Sequence, residues 1–391
     1  MRAAAISLLR ASLCLGAVLV VPLQPATAAD EPPVVKAVYD GVALLFRVQP
    51  TSEKFDILPD GAIRLSKFSI PTSADQPAPV TAEQVTFSGI KEQLGRYDIG
   101  ELKFTGMTLS FGGGASVVLP QFVIRDMVVK PVPTDQKDIE GGMAATLPAR
   151  EYEIPEALLL LGNESASVEK IKWTWDGDFV AGSATAQFGI EKVAVPGSLL
   201  KQMLDIDFLQ LGYGSVELGL SGRWKIAASG DARSYDIEAQ ATGKDMASIQ
   251  GSLSASNVPP HFLLAALLGN MGSTEFAELM RKPTLNGLKI RYEDRSFLTR
   301  TINSESVRRG IDVAAFTQER VESLQREFLD FKGSPVYEKG IASYTKFLNE
   351  PRSLDIELKP PAPLPGAVIL DAMQVPTVLL YVLGPSVEAN R

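Results

Sequence analysis

The chain has 391 residues, 21% of them charged, with a formal net charge of −8, one histidine and one cysteine. A chain this acidic gains nothing from phosphate backbones, whose binding rests on neutralisation by Lys and Arg, so nucleic acid is excluded as a partner. With one His and one Cys the common zinc sets cannot be assembled, and neither a metal nor a cofactor is expected.

At the N-terminus Arg2 and Arg10 flank the start of a short apolar run, Ala11–Leu23, and Ala26-Thr27-Ala28 offers a small-x-small cleavage site, with Thr27-Ala28-Ala29 one residue further on. The run falls short of the about 20 residues that cross a bilayer. Residues 1–29 therefore read as a cleaved signal peptide, leaving a mature chain that starts at Ala29 or Asp30 and carries no integral membrane span. Cys14 is not a lipidation site, because Leu13 stands where a lipoprotein signal needs a small residue. Cleavage removes Cys14, so no disulfide is expected and the fold must rest on core burial. It also removes two arginines, taking the formal charge from −8 to −10.

Residues 30–130 read as a β-rich N-terminal region. Glu31–Val35 is a Pro-containing leader. Alternating runs at Ile63–Ile70, Val117–Ile124, Asp126–Val129 and Phe188–Val195 contain or are closed by prolines, which donate nothing to a ladder and stop or edge a strand. Val85–Ile90 and Ile99–Met107 share the texture. Gly112-Gly113-Gly114 lies between strands and lacks a following Lys-Ser/Thr and helix, so it is a hairpin turn and not a phosphate cradle. Residues 131–155 are polar and Pro/Gly-rich and read as a loop or linker.

From 156 to 391 the expectation is a β-meander followed by helices. Strand texture returns at Ser167–Trp175, and Ser198–Leu209 is a short amphipathic helix. The meander reads Tyr213–Leu220, Arg223–Ala228, Tyr235–Thr242 and Ala247–Ser256, with turn residues between, Ser221-Gly222 among them. After residue 258 helices concentrate, interrupted by a strand at Leu285–Tyr292. Ser296–Arg309 is helical. Thr317 is read as the cap of the next helix, with Phe316 and Val321 as a hydrophobic staple and Val321, Leu324, Phe328 and Phe331 as the inward stripe. Ser334-Pro335 opens another helix as N-cap and N1. Leu354–Leu358 is a strand, and Ala367–Val382, interrupted by Asp371, Gln374 and Pro376, reads as a buried helix pair. The fold class is α+β: antiparallel sheet in the first two-thirds, helices behind it.

No catalytic constellation accompanies this. His261 has neither a Gly-x-Ser-x-Gly elbow nor a second histidine, and no carboxylate pair is singled out for glycosidase chemistry, which leaves a carboxylate-based hydrolase as a remote alternative. Large apolar surface without a partner is rarely left exposed. The residues expected to line an apolar-ligand surface are Val118 and Phe122, two even-numbered positions of one strand with Pro120 between them, and Phe262, Leu264 and Leu267 of the block after Pro259-Pro260.

The segment Ile290–Arg300, in which a strand ending Tyr292-Glu293-Asp294 runs into Ser296-Phe297-Leu298-Thr299-Arg300, resembles a feature of uncharacterised secreted proteins of alphaproteobacteria, as do the stretches Phe347–Pro351 and Leu383–Asn390. The strand-rich front half resembles envelope proteins of the AsmA-like kind, which implies lipid handling or envelope assembly. The expected protein is secreted or periplasmic and non-enzymatic, with a lipid or an envelope protein as partner, or else a structural scaffold of the envelope. N-terminal sequencing of protein recovered from an envelope fraction should return Ala29 or Asp30; an intact Met1 would overturn the signal-peptide reading.

Overall fold

A computed structural model of the chain describes residues 32–46, 48–71, 79–111, 114–130, 149–178, 183–204, 206–230, 232–259, 278–373 and 375–391. These fall into two compact units, one ending at Pro196 and one running from Gly197 to Arg391, with residues 183–185 belonging to the second. The fold is α+β: antiparallel strands dominate, and most helices lie in the C-terminal part.

The first unit opens with a helix where a leader was expected, α1 (Pro33–Phe46), entered by a proline at its first position. Its Val34, Val35, Ala37, Val38, Tyr39 and Ala43 are all buried, on nearly every side of the helix. Lys36 and Asp40 form an exposed ion pair on the remaining side (2.7 Å), and the strands of the unit pack against the rest. They are β1 (Lys54–Ile57), β2 (Ile63–Ile70), β3 (Val80–Ser88), β4 (Lys91–Gln93), β5 (Arg96–Ser110), β6 (Ala115–Val129), β7 (Glu151–Leu161), β8 (Glu164–Asp178) and β9 (Ser183–Pro196). From β1 to β8 each strand pairs antiparallel with the next, except that β3 pairs directly with β5, and β4 folds back on β5 as a short hairpin. β7 starts at Glu151, inside the segment read as a loop to residue 155, and β7 and β8 belong with the first unit, so 131–155 does not divide the chain.

The core positions of this sheet break the period of two once in β2, β3, β7 and β8 and twice in β5 and β6, where Ile99–Leu102 and Ile124–Met127 add a second step. Core residues step by three from Leu65 to Phe68 on β2, Ala82 to Val85 on β3, Phe104 to Met107 on β5, Leu119 to Phe122 on β6, Ile154 to Ala157 on β7 and Val168 to Ile171 on β8. The steps are aligned across neighbours: Phe68 pairs with Ala82, Ala82 with Met107, Met107 with Leu119, and Ile154 with Ile171. The skipped residues include Lys67, Gly106 and Lys170, all at positive φ (50°, 62° and 45°). An extra residue in that conformation swings the following side chains to the opposite face, as in a β-bulge. At Gly106 a Cβ would stand 2.7 Å from the Glu83 side chain, so glycine is also the residue that fits. The crease keeps every strand's apolar side turned toward α1. Along it the rings of Tyr39, Phe68, Phe104 and Phe122 follow one another at centroid distances of 6.0, 5.8 and 5.6 Å, each contact worth about 0.5–1.5 kcal/mol beyond its buried area.

The opposite face of this sheet carries charge. Arg125 of β6 binds Glu101 of β5 at 3.4 Å and Glu153 of β7 at 2.6 Å, and also Glu151, which Lys172 of β8 holds at 2.8 Å.

The second unit comprises α2 (Gly197–Leu204), β10 (Ser215–Ser229), β11 (Ala232–Gly243), β12 (Ala247–Val258), β13 (Thr284–Asp294), α3 (Phe297–Arg309), α4 (Val313–Glu327), a 3-10 turn (Leu329–Phe331), α5 (Pro335–Asn349), β14 (Ser353–Leu358), β15 (Leu364–Pro365), α6 (Gly366–Ala372), α7 (Pro376–Leu383) and β16 (Pro385–Ala389). Its sheet runs in the order β10-β11-β12-β13-β14-β16, antiparallel throughout, with β15 on the end of β13. Ser221-Gly222 is not a turn: β10 passes straight through it, because both residues have cross-strand partners, Gln240 and Ala239. At the edge strand β16, Ser343 and Lys346 of α5 donate to the carbonyls of Val387 and Ala389 (2.8 and 3.3 Å), which closes an edge that would otherwise template further pairing.

Helix α4 starts four residues before the expected cap. Asp312, not Thr317, accepts the first-turn N–H, that of Ala315, at 2.7 Å, and a carboxylate at that position is a strong cap. Thr317 is buried inside the helix with its hydroxyl on the Ala314 carbonyl. The inward stripe is correspondingly shorter: Phe316 and Val321 are buried, but Phe328 lies past the helix end and is 44% exposed. Ser334 does cap α5, accepting from the Tyr337 N–H. The segment Ala367–Val382 forms two helices, but not a buried pair: Val368, Met373, Val375, Val378 and Tyr381 are exposed.

Two cations, Lys172 foremost and then Arg125, hold the Glu151 carboxyl below the usual carboxylate range. A lowered pKa adds stability that is complete above the unfolded value, about 4.3, and is lost as pH falls through the folded one. Glu151→Gln should therefore lower the melting temperature by about 1–4 °C at pH 7, with the gap closing below about pH 4. A gap that persisted at pH 3 would show that the charge is not its source.

Candidate functional site

The two faces of the second sheet differ in kind. Directly paired residues of an antiparallel sheet point the same way, so the register defines rows across it. One row is Leu220, Ala241, Ile249, Tyr292, Leu354 and Ala389; the next is Gly222, Ala239, Gly251, Ile290, Ile356 and Val387; a third is Trp224, Ile237, Leu253, Leu288, Leu358 and Pro385. Except for the Tyr292 hydroxyl, these rows carry no polar side chain. The intervening rows hold the opposite face, where Arg223 stands across from Glu238, Lys225 from Asp236, Lys289 from Glu357 and Arg291 from Asp355. Opposite charges directly across a pair stabilise it by roughly 0.2–1 kcal/mol.

An apolar face must be buried against another element. Among the described residues, helices α3 to α5 cover one end of it. The ring of Phe347 on α5 meets Tyr292 edge-on at 5.7 Å, and behind it Ile302 of α3, Phe316 and Val321 of α4 and Leu348 of α5 form a closed cluster with Leu298, Ile311, Ile341 and Tyr344. Over β10–β12 the same face is exposed at its middle, where Leu220 is 38% exposed and Ile249 48% with Leu218 and Ile290 beside them; Trp224, Ile237 and Leu253 are half-buried, and the paired Ile226 and Tyr235 beyond them are buried.

The helical layer is placed by the junction between β13 and α3. The Asp294 carboxylate accepts from the Tyr292 hydroxyl (2.7 Å), from the Leu298 N–H in the first turn of α3 (2.7 Å) and from the Thr299 hydroxyl (3.2 Å). Burial, and then the Asp294 carboxylate, push the Tyr292 hydroxyl well above the usual phenol range, so it remains a donor. Ser296 donates to the Asp245 carbonyl and takes the Tyr213 hydroxyl at 2.7 Å. Arg300 donates to the carbonyls of Leu211 and Gly212 (3.1 and 3.2 Å) and lies 4.5 Å from the centre of the Tyr213 ring. Gly212 has φ 81°, and a Cβ there would meet the Arg300 guanidinium at 2.9 Å. Each polar residue of the segment Tyr292–Arg300 named here thus holds α3 against the sheet, and the cluster is a clamp with no free nucleophile or base.

The sequence-predicted residues are not brought together. Val118 and Phe122 stand on opposite faces of β6, since the step at Pro120 separates them: Phe122 is buried on Phe104, whereas it is Val117 and Leu119, not Val118, that belong to the core side. The concavity they were expected to line is filled by α1. Phe262, Leu264, Leu267 and His261 lie outside the described residues. Sequence reasoning did not assign Leu220, Gly222, Ile249, Gly251 and Ile290 to the site, although their alternation with Ser, Gln and Lys was visible, because alternation marks an apolar face without saying whether anything covers it.

The carboxylates of the two charged faces are paired with cations. Glu101, Glu151 and Glu153 are neutralised by Arg125 and Lys172, and Glu293 and Asp355 both bind Arg291 at 2.7 Å. Among the described residues no group of three or more His, Cys, Asp or Glu stands close enough to hold a metal ion, and no helix is long and apolar enough to cross a membrane. A family model described only as an uncharacterised protein matches residues 240–390, from within β11 to the end of β16. No curated protein matches the chain.

Replacing Asp294 by Ala removes the first-turn acceptor and leaves the Tyr292 hydroxyl without its partner. A loss of about 1–3 kcal/mol is expected from equilibrium denaturation, and a loss below about 0.5 kcal/mol would show that the clamp is not what positions α3.

Proposed function

We propose that the protein is a non-enzymatic, secreted or periplasmic binder of an apolar ligand, a lipid in the first instance, and that the ligand lies on the open apolar face of β10–β12. One observation carries this reading: Leu218, Leu220, Ile249 and Ile290, on one apolar face of β10–β13, are exposed, although the same sheet is covered at β13–β14 by α5 and the first unit packs α1 on its own apolar face. Exposed contiguous apolar surface on a soluble protein marks an interaction site. Each methylene buried there contributes about 0.8 kcal/mol, so ten offer on the order of 8 kcal/mol, the scale of micromolar binding, offset in part by ordering the chain.

A second reading, an envelope scaffold that binds another protein, draws on the exposed Val368, Met373, Val375, Val378 and Tyr381 of α6, α7 and the link between them. Native mass spectrometry of the mature protein from its own envelope separates the two. Co-purifying lipid, reduced at least several-fold in Leu220→Asn and Ile249→Asn while the melting temperature stays within about 2 °C, supports the lipid reading. A clean apo mass with no uptake of added phospholipid vesicles overturns it and leaves the scaffold.

A further inference from the structure

The turn between β4 and β5 carries a residue that its backbone conformation disfavours. Gln93 and Arg96 pair across the hairpin, and the two residues between them, Leu94 and Gly95, both have positive φ (47° and 74°). Two central residues at positive φ make a type I′ turn, for which Asn-Gly and Asp-Gly are the favoured pairs. Gly95 fits that pattern. Leu94 does not, since a bulky side chain in the left-handed region is an outlier. The other described non-glycine residues at positive φ, Lys67, Asp126, Lys170, Asp245, Asn257 and Asn390, are all polar.

Packing does not offset this cost, because Leu94 is fully exposed, at 107%. A single exposed leucine is ordinary. One held at the apex of a hairpin in a conformation that Asn would relax is an outlier from which function is inferred. Among the described residues of the first unit the other exposed large apolar side chain, Ile57, stands at the same end of the sheet. Ile57 pairs with Ile63, Ile63 with Phe87 and Phe87 with Leu102, near the start of β5. Val129 of β6 pairs with Tyr97, which puts Lys130 beside Arg96. Around the tip Lys91, Arg96 and Lys130 are exposed together with Glu92, and Asp98 is bound to Arg96 at 3.1 Å. The cations outnumber the carboxylates there, although the chain as a whole is acidic, at −8.

We propose that the β4–β5 hairpin docks the first unit on a phospholipid bilayer, with Leu94 entering the acyl layer and Lys91, Arg96 and Lys130 level with the headgroup phosphates. A stable protein partner needs about 800 Å² of one surface, more than a two-residue turn offers. A bilayer needs no shaped site, and its hold grows with buried apolar area and with the attraction of cations to anionic lipid. The acidic remainder of the chain is repelled by the same lipid, which keeps the contact at the tip. Neither Leu94 nor its neighbours belong to the face assigned to the apolar ligand, so the docking stands or falls separately from that reading.

The test is flotation of the mature protein with vesicles of equal parts phosphatidylglycerol and phosphatidylcholine. Leu94→Asn, which gives the turn its favoured residue, should keep or raise the melting temperature while weakening vesicle binding at least about fivefold. Lys130→Gln should weaken it less, and its effect should vanish in about 1 M salt. Cys14, the one cysteine of the chain, precedes Ala29, so Leu94→Cys gives the mature protein a unique site for an environment-sensitive fluorophore. Lipids spin-labelled on the acyl chain should quench that fluorophore and not one at Ser110→Cys, at the other end of β5. Binding by folded Leu94→Asn as tight as the parent's overturns the docking, as does a fluorophore at position 94 that bound vesicles leave in water. An absence of vesicle binding by the parent overturns it too, and a fluorophore at position 94 that responds to an envelope protein instead assigns the tip to a protein partner.

Discussion

One carboxylate, Asp294, settles where the helices of the second unit stand. It caps α3 and holds the hydroxyl of Tyr292, a residue of the apolar face itself, so the first helix after the sheet leaves from the β13 end. From there α4 and α5 can reach Tyr292, β14 and β16, where Phe347 packs and where Ser343 and Lys346 close the edge. The Tyr213–Ser296–Arg300 contacts brace the same joint from the chain segment before β10. Among the described residues, the helices anchored at that end pack on β13, β14 and β16, and Leu220 and Ile249 at the middle of the face stay exposed.

The two units answer the same problem differently. Each has a sheet that is apolar on one face and charged on the other. In the first, the apolar side wraps a helix that is buried nearly all round, and the aligned three-residue steps keep each strand's core residues turned inward along their full length. Tyr39 meets Phe68, and Phe104 meets Phe122, in a closed core. In the second, the strands β10–β12 keep a strict period of two along their three central rows, where Leu220 and Ile249 are exposed. The first packs its apolar side into a closed core; the second presents rows of side chains at regular spacing.

The charged faces are built from cross-strand pairs, Arg125 with Glu151 and Glu153 in one unit and Arg291 with Asp355 in the other. Partly exposed pairs of this kind contribute modestly to stability, but they commit the carboxylates that could otherwise have been read as an acid–base pair. They also mark which side of each sheet faces water, and so which side is left for apolar contact.

By itself the sequence determined what depends on neighbours a few residues apart: the alternation of β2, β11, β12 and β13, the cap and first turn of α5 at Ser334-Pro335, and the change from strands to helices. These follow from local backbone and side-chain periodicity, which needs no partner to be read. Tertiary structure alone decided the rest. α1 is a helix because the sheet buries it; its Val-rich sequence and Gly41 are weak local evidence. Gly222 stands inside a strand because Ala239 pairs with it, and Val118 and Phe122 part because a step at Pro120 matches steps in the strands beside it. Phe328 is exposed because Asp312 starts α4 early and the helix ends before it. Above all, whether the apolar face of β10–β12 is core or surface depends on elements outside those strands, the helices that follow Asp294 among them, and no alternation within a strand can report what lies across from it.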